Sequence, residues 1–192
     1  MEFSESDFAL FIKGVHFAST KHRLQRRKDA AKTPYINHPV EVAETLWRVG
    51  EVRDMVTLVA ALLHDTIEDT KTSPDEIRKN FGDSVLSVVL ELTDDKALPK
   101  AARKRLQIES APFKSNRAKQ IKLADKLCNI RDMAHNPPES WEPERLYNYL
   151  AWSEKVVSGL RGTNATLEAA YDQVLEESRE ALKTRFPDAN LT

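Results

Sequence analysis

The amino-acid sequence predicts an all-α protein built as a single domain. Only 5 of the 192 residues are Gly and 9 are Pro, too few for a turn-rich β-sandwich or barrel. Apolar residues recur at helical spacing along most of the chain, and no linker, internal repeat or low-complexity stretch divides it. With 41% hydrophobic residues the chain can bury one core of ordinary size. We therefore expect about eight to ten helices in one domain over 1–192, with a core over 5–175 and a last helix to about 185.

The first half of the chain divides at recognisable start and stop signals. Residues 5–23 form a first helix, and a basic loop without an apolar stripe follows to Lys32. A second helix begins at Pro39 and ends at Gly50. The residues predicted to face the core from these two helices are Phe8, Phe11, Ile12, Val15, Ala18, Val40, Ala43, Leu46 and Trp47.

The run MVTLVAALLHD after Asp54 is apolar on all sides, as expected of a central helix that is buried all round. A run this short could also be a buried strand, but no βαβ pattern supplies a partner. In the second half of the chain, Pro and Gly residues mark the predicted starts and ends of helices. We expect helices at 74–82 (ended by Gly82), 83–93, 99–110, 116–134, 143–160 and 164–185, with a strong break at Pro137-Pro138 and a separator at Gly162.

Composition limits the classes of function. The single Cys excludes a disulfide framework or a Cys-rich zinc site and suits a reducing compartment. The N-terminus is acidic, unlike a signal peptide, and no run of 18 apolar residues occurs, so we expect a cytoplasmic protein without a membrane partner. A net charge of −1 predicts no general affinity for nucleic acid.

The charge is unevenly distributed. Residues 13–32 carry seven Lys or Arg and one Asp, and residues 96–122 carry nine Lys or Arg and one Glu. Residues 41–95 between them carry thirteen acids and five bases. Solvated helix faces can produce such runs. Two basic islands around an acidic middle also fit a pocket for a phosphorylated ligand.

The candidate chemistry begins with His64 and Asp65, at the end of the most apolar helix. A carboxylate there is costly unless a charge compensates it, although His and Asp also cap helix ends. His38 at a helix start and Asp125 in another apolar helix add two candidates. Four such groups from three helices could converge on one divalent cation.

Two further groups share helix faces with these candidates. Glu68 and Asp69 follow Asp65 by three and four residues, so a continued helix would turn them towards the same ion, where a carboxylate could move a proton. An acidic helix terminus is the alternative. Asn129 lies four residues after Asp125 and offers both a donor and an acceptor, unless it is a structural amide.

Four segments carry a resemblance to a known family. TPYINHP (33–39), AALLHDTIEDT (60–70), LTDDKALPKAARKRLQIESAP (92–112) and KLADKLCNIRDM (122–133) resemble the HD-domain hydrolases of the RelA/SpoT family. The likeness extends over residues 5–175 and is greatest to the single-domain members, the small alarmone hydrolases and metazoan SpoT homologues. The resemblance implies a helical HD-domain bundle.

The resemblance also implies a site and an activity. It makes His38, His64, Asp65 and Asp125 the ligands of one manganese ion per chain, and Glu68 and Asp69 the catalytic acids. It makes Arg27 and Lys28 contacts to the base and a phosphate, Asn129 a contact to the ribose, and Lys100, Arg145 and Tyr149 contacts to phosphates and base. The implied reaction hydrolyses ppGpp or pppGpp at the 3′-pyrophosphate to GDP or GTP and pyrophosphate.

Several alternatives stay open. The same pocket could take ppApp or pppApp, or remove the 2′-phosphate of NADPH. A non-catalytic alarmone-binding protein and a nucleic-acid binder that uses the basic islands are further possibilities. We expect a nucleotide substrate, no nucleic acid and no synthetase domain, and we interpret Cys128 as a packing residue. The sequence does not choose between a monomer and a homodimer.

Overall fold

A computed structural model describes residues 4–138 and 140–187. Within these two ranges the secondary structure is helical, apart from one isolated antiparallel bridge between Arg26 and Pro34, and the all-α prediction is confirmed. The helices are α1 Glu5–His22, α2 Asn37–Arg48, α3 Met55–Leu63, α4 Thr66–Asp69, α5 Pro74–Leu92, α6 Lys100–Ser110, α7 Asn116–His135, α8 Pro143–Ser158 and α9 Ala165–Arg185, with a 3₁₀ turn at Ala111–Phe113.

Short polar side chains fix the starts of most long helices. Each accepts a hydrogen bond from a backbone N–H of the first turn, which would otherwise lack a partner inside the helix. Ser4 forms a capping box with Asp7 at α1. The other caps are Asp54 at α3, Ser73 at α5, Ser115 at α7 and Asn164 at α9.

The boundary predicted at Gly82 is a kink inside α5. Gly82 has φ 82° and ψ 173°, so the two predicted helices at 74–82 and 83–93 form one bent element. This backbone conformation is open almost only to glycine.

The core forms around α3 and α7. Helix α3 is surrounded by α1, α2, α5 and α7, and its residues 58–63 are at most 3% exposed, as predicted for a central helix. Helix α7 packs in turn on α2, α8 and α9. The candidate residues His64 and Asp125 therefore lie at the end of α3 and within α7, where both side chains are buried. No helix in the described part of the chain is long and apolar enough to cross a membrane.

Some predicted core positions on α1 and α2 are wrong. Phe8 and Ile12 on α1 and Val40 and Trp47 on α2 are 39–64% exposed. Helix α1 instead approaches α3 through small residues, and a Cβ at Gly14 would lie 3.2 Å from Leu62 Cδ1.

The start predicted for the second helix is also wrong by two residues. Helix α2 begins at Asn37, and Pro39 occupies the third helical position. Proline is tolerated there because the N–H groups of the first turn have no partner inside the helix.

Candidate metal centre and ligand pocket

The four predicted metal ligands converge at one point in the core. His38 lies in the first turn of α2, His64 and Asp65 follow α3, and Asp125 lies in the middle of α7. One ligand atom from each of His38, His64 and Asp65 lies within 4.8 Å of the others. Asp125 Oδ1 lies 3.2 Å from His38 Nε2 and 3.9 Å from His64 Nε2.

The orientation of His64 fits a bound cation. Its Nδ1 lies 2.7 Å from the Ala61 carbonyl oxygen, to which it donates a hydrogen bond, so in the neutral ring Nε2 carries the lone pair. Nε2 is buried 3.0 Å from Asp65 Oδ2, and no described residue forms a hydrogen bond with it. A lone pair facing a carboxylate is repulsive unless a positive charge lies between them. The donor set of two imidazoles and two carboxylates therefore fits a divalent cation.

The electrostatics of the cluster indicate the same need for positive charge. Burial favours the neutral form of Asp125, but Lys126 and His38 outweigh it and hold the pKa of that carboxyl well below its usual range. Burial likewise opposes charge on His64, yet Asp65 and Asp125 raise its pKa to about 9. The two carboxylates thus keep a proton on His64 where no metal is bound, and a divalent cation can replace that proton.

The cluster includes Tyr35, which the sequence analysis left without a role. Its hydroxyl donates a hydrogen bond to Asp65 Oδ2. Burial and the charge of Asp65 raise the pKa of Tyr35 well above 10, so the hydroxyl remains a donor. Tyr35 lies within the segment TPYINHP, three residues before His38. This proximity to a predicted ligand is the sequence feature that could have identified it as a site residue.

Glu68 and Asp69 lie on the single turn of α4, which continues from Asp65 through a 2.8 Å hydrogen bond from Asp69 N to Asp65 O. Glu68 Oε2 accepts a hydrogen bond from Asp94 N, and burial, with the nearby acids Asp94 and Asp65, raises the pKa of Glu68. Asp69 accepts hydrogen bonds from Gln25 Nε2 at 3.0 Å and Lys96 Nζ at 2.5 Å. The two predicted acids therefore occupy different environments: Asp69 is held by two donors, whereas burial and neighbouring acids favour a proton on Glu68.

A cavity of about 430 Å³ opens above the cluster. Ten of the twelve predicted site residues line it: Lys28, His38, Asp65, Glu68, Asp69, Lys100, Asp125, Asn129, Arg145 and Tyr149. His64 belongs to the cluster beneath. Arg27 lines an adjoining cavity of about 260 Å³ that shares Lys28, Asn129 and Tyr149 with the first.

Two helices face this cavity with polar stripes. Along α6 and α7 the lining residues have the spacing i, i+3, i+4 and i+7, which places them on one face of each helix. They are Lys100, Arg103, Lys104 and Gln107 on α6, and Lys122, Asp125, Lys126 and Asn129 on α7. Arg103, Lys104, Lys122 and Lys126 were missed as site residues, although they share their stripes with residues that were predicted.

Aromatic rings hold several of these cations. The Arg145 guanidinium lies 4.1 Å from the centre of the Trp141 ring, and the ammonium groups of Lys104 and Lys126 each lie 4.5 Å from that of Trp152. Burial and neighbouring cations lower the pKa of Lys104. Ring faces position a cation without neutralising it, so this wall of the cavity stays attractive to anions.

Arg27 and Asn129 connect the second cavity to the metal cluster. Arg27 donates to Asp132 Oδ2 at 2.5 Å and to Asn129 Oδ1 at 3.3 Å. Asn129 Nδ2 donates to Asp125 Oδ1 at 2.6 Å. The amide therefore both orients a candidate ligand and reaches the cavity that a nucleotide would enter.

Cys128 lies behind the cluster. It is fully buried beside Thr45 Oγ1, and burial raises the pKa of its thiol to about 12. A protonated, inaccessible thiol packs and does not attack a substrate.

The fold and site together define a helical protein in which two histidines and two aspartates that suit a divalent cation lie beneath a pocket lined by cations. The family model described as HD domain matches residues 14–151. The chain belongs to the HD-domain family, among the relatives of RelA and SpoT, as the resemblance predicted.

Named relatives and solved structures match over most of the chain. The Xenopus tropicalis protein named guanosine-3′,5′-bis(diphosphate) 3′-pyrophosphohydrolase MESH1 is 53% identical over 88% of this chain and 94% of its own. The Homo sapiens protein of that name is 50% identical over 97% of this chain and 98% of its own. A solved structure described as a metazoan ortholog of SpoT that hydrolyzes ppGpp superposes with a TM-score of 0.87, at 47% identity over 92% of this chain and 98% of its own.

Proposed function

We propose that this protein is a metal-dependent 3′-pyrophosphohydrolase that converts ppGpp to GDP and pppGpp to GTP, with release of pyrophosphate. The observation that carries the proposal is the His38, His64, Asp65 and Asp125 cluster at the floor of a cavity lined by cations. Relatives at about half identity that carry this activity in their names support the choice of substrate.

Manganese is the metal that we assign to the cluster, one ion per chain. Mixed imidazole and carboxylate donors suit a borderline or hard divalent cation. When bound, such an ion makes hydroxide available at neutral pH and polarises a phosphoryl oxygen.

Glu68 is the residue that we assign to proton transfer. It lines the cavity three residues after Asp65, and its raised pKa brings it closer to the neutral range in which a base is most effective. Asp69 is held by Gln25 and Lys96, so it supports the geometry of the turn and adds negative charge beside Glu68. In the reaction a water molecule gives a proton to Glu68, and its oxygen forms a bond to the phosphorus attached to the ribose. The bond from that phosphorus to the ribose 3′-oxygen breaks, and the departing oxygen takes up a proton.

The cations that line the cavity are assigned to the two diphosphate groups of the substrate. Lys100 and Arg145 face the cavity from α6 and α8, and Lys28 enters from the loop before α2. Cations on several sides stabilise the negative charge that builds up on the 3′-diphosphate as its bond to the ribose 3′-oxygen breaks. Arg27, Asn129 and Tyr149 are the proposed contacts to base and ribose. A substrate of this kind, together with the single buried thiol, agrees with the cytosol as the place of action.

The test is a substrate panel with purified, manganese-loaded protein. We expect kcat/KM for ppGpp and pppGpp to exceed that for ppApp, pppApp and NADPH, and Asp125→Ala to serve as the background control. A hundredfold preference for NADPH would overturn the substrate assignment. Tight binding of ppGpp without turnover would instead make the protein an alarmone-binding protein.

A further inference from the structure

Lys122 is a buried cation that has no role in the proposed reaction so far. Only 7% of the residue is exposed, and it lines the cavity one helical turn from Asp125. Its ammonium group takes part in none of the hydrogen bonds or ion pairs among residues 4–138 and 140–187, although the charges of Asp125, Asp94 and Asp65 act on it. A buried ammonium group without an anionic partner is costly, so a site that retains one holds it for a ligand.

The acids nearest to Lys122 are already engaged by other groups. Asp125 accepts a hydrogen bond from Lys126 Nζ at 3.1 Å and another from Asn129. Asp94 Oδ2 accepts one from Gln107 Nε2 at 2.6 Å. The positive charge on this part of the cavity wall therefore exceeds the negative charge available to it, and an anion in the cavity would balance the excess.

The position of Lys122 along α7 indicates which anion this is. At 1.5 Å rise per residue, Lys122 lies about 4.5 Å before Asp125 along the helix axis, and Asn129 lies about 6 Å beyond it. The nucleoside is assigned to the Asn129 side, and the bond that breaks lies at the level of the metal cluster. The part of the substrate on the other side of that bond is the 3′-diphosphate. Its terminal phosphate is therefore the group expected beside Lys122.

We propose that Lys122 forms the subsite for the terminal phosphate of the 3′-diphosphate, at the end of the α7 stripe opposite Asn129. The inference rests on the proposed function and deepens it. The subsite makes the enzyme select a 3′-diphosphate over a 3′-monophosphate, and it also binds the pyrophosphate product.

The kinetic test replaces Lys122 with Met, which keeps the length and removes the charge. A charge-assisted hydrogen bond contributes enough for kcat/KM on ppGpp to fall about 10- to 100-fold in Lys122→Met. The inhibition constant of guanosine 5′-diphosphate 3′-monophosphate, which lacks the terminal phosphate, should change less than about threefold. Lys119→Met, on the same helix but outside the cavity, is the matched control and should leave both constants unchanged. Equal losses for the two nucleotides would overturn the subsite.

A binding measurement separates this inference from the proposed function. Calorimetric titration of manganese-loaded protein with pyrophosphate and with phosphate should show a preference for pyrophosphate that Lys122→Met loses. If the parent protein fails to hydrolyse ppGpp, the proposed function is wrong, yet this titration still tests the anion subsite. Unchanged pyrophosphate affinity in the variant would refute the role of Lys122.

The stability of the variant distinguishes binding from structure. Removing a buried, unpaired charge should leave the Tm of Lys122→Met equal to or above that of the parent, whereas a lysine that held the fold together would lower it. Should Lys122→Met fail to fold, Lys122→Gln, which is shorter and polar, carries the same kinetic and titration measurements with the same expected losses.

Discussion

Asn129 donates a hydrogen bond from Nδ2 to Oδ1 of Asp125 over 2.6 Å, within one turn of α7. The same amide accepts a hydrogen bond from Arg27, so one side chain touches both a candidate metal ligand and the loop that leads into the cavity. Groups that orient metal ligands influence the metal nearly as strongly as the ligands do.

Asn129→Ala should therefore weaken metal binding as well as substrate binding. Replacing a residue that orients a ligand typically costs about 10- to 100-fold in metal affinity or activity. Manganese titration followed by calorimetry measures the first effect, and KM for ppGpp measures the second. Asn80→Ala is the control, because the Asn80 amide donates to the Glu76 carbonyl within α5 and does not line the cavity among the described residues. If Asn129→Ala keeps the parental affinity for manganese, Asn129 contributes to substrate binding and not to metal binding.

Asp125→Ala should abolish metal binding, because it removes one of four protein ligands and the negative charge that faces both histidines. Asp125→Asn makes the same test with less disturbance of packing beside Lys126. Metal content after dialysis should fall to background in both variants and remain parental in Asp83→Asn, which lies on the exposed side of α5. Full occupancy in Asp125→Asn would refute the ligand set.

Metal removal should lower the stability of the parent protein but not of Asp125→Asn. A ligand that binds only the folded state raises the free energy of unfolding by about 2.7 kcal/mol when its free concentration is a hundred times its Kd. The difference in Tm with and without a chelator measures this contribution. An equal shift in the two proteins would place the stabilising metal elsewhere.

The sequence predicted this centre because its residues violate local expectation. His64 and Asp65 end an apolar helix, and Asp125 interrupts another, so their cost could be recognised from the pattern alone. The helix caps at Ser4, Asp54, Ser73, Ser115 and Asn164, by contrast, follow the ordinary preference for a short polar side chain before a helix.

Other features depend on which helices meet. Lys104 and Lys126 look like solvated charges in the sequence, yet α8 brings the Trp152 ring to 4.5 Å from both ammonium groups. Of the apolar stripe predicted for α1, Phe11, Val15 and Ala18 pack on the core, whereas Phe8 and Ile12 are exposed. Helix α1 meets α3 at Gly14, which lies close to Leu62. Such contacts join residues that are far apart along the chain. The spacing of neighbouring residues in the sequence does not predict them.

Gly82→Ala should destabilise the fold without changing activity. The residue has φ 82° and ψ 173°, a region in which an L-residue is strained by about 1–3 kcal/mol. A Cβ there would meet no atom within 4 Å, so the loss comes from the backbone alone. Denaturant unfolding measures it, with Ser84→Ala as the neighbouring control. An unchanged midpoint would show that the kink tolerates a side chain.

Glu68→Gln should remove turnover while leaving metal binding intact. Losing a positioned base costs about 10²- to 10⁴-fold in rate, and the amide keeps the shape and the hydrogen bond from Asp94 N. Glu44→Gln, on the surface of α2, is the matched control.

The pH dependence of the parent enzyme tests the same role. Glu68 accepts a proton only when ionised, and burial with neighbouring acids raises its pKa above the ordinary value of 4.5. Lowering the pH through that raised pKa protonates the base, so kcat should fall on the acid side at a higher pH than an exposed carboxyl would give. The residual activity of Glu68→Gln should lack this acid limb. If the variant keeps the parental rate and the same limb, the proton-transfer group is a different residue.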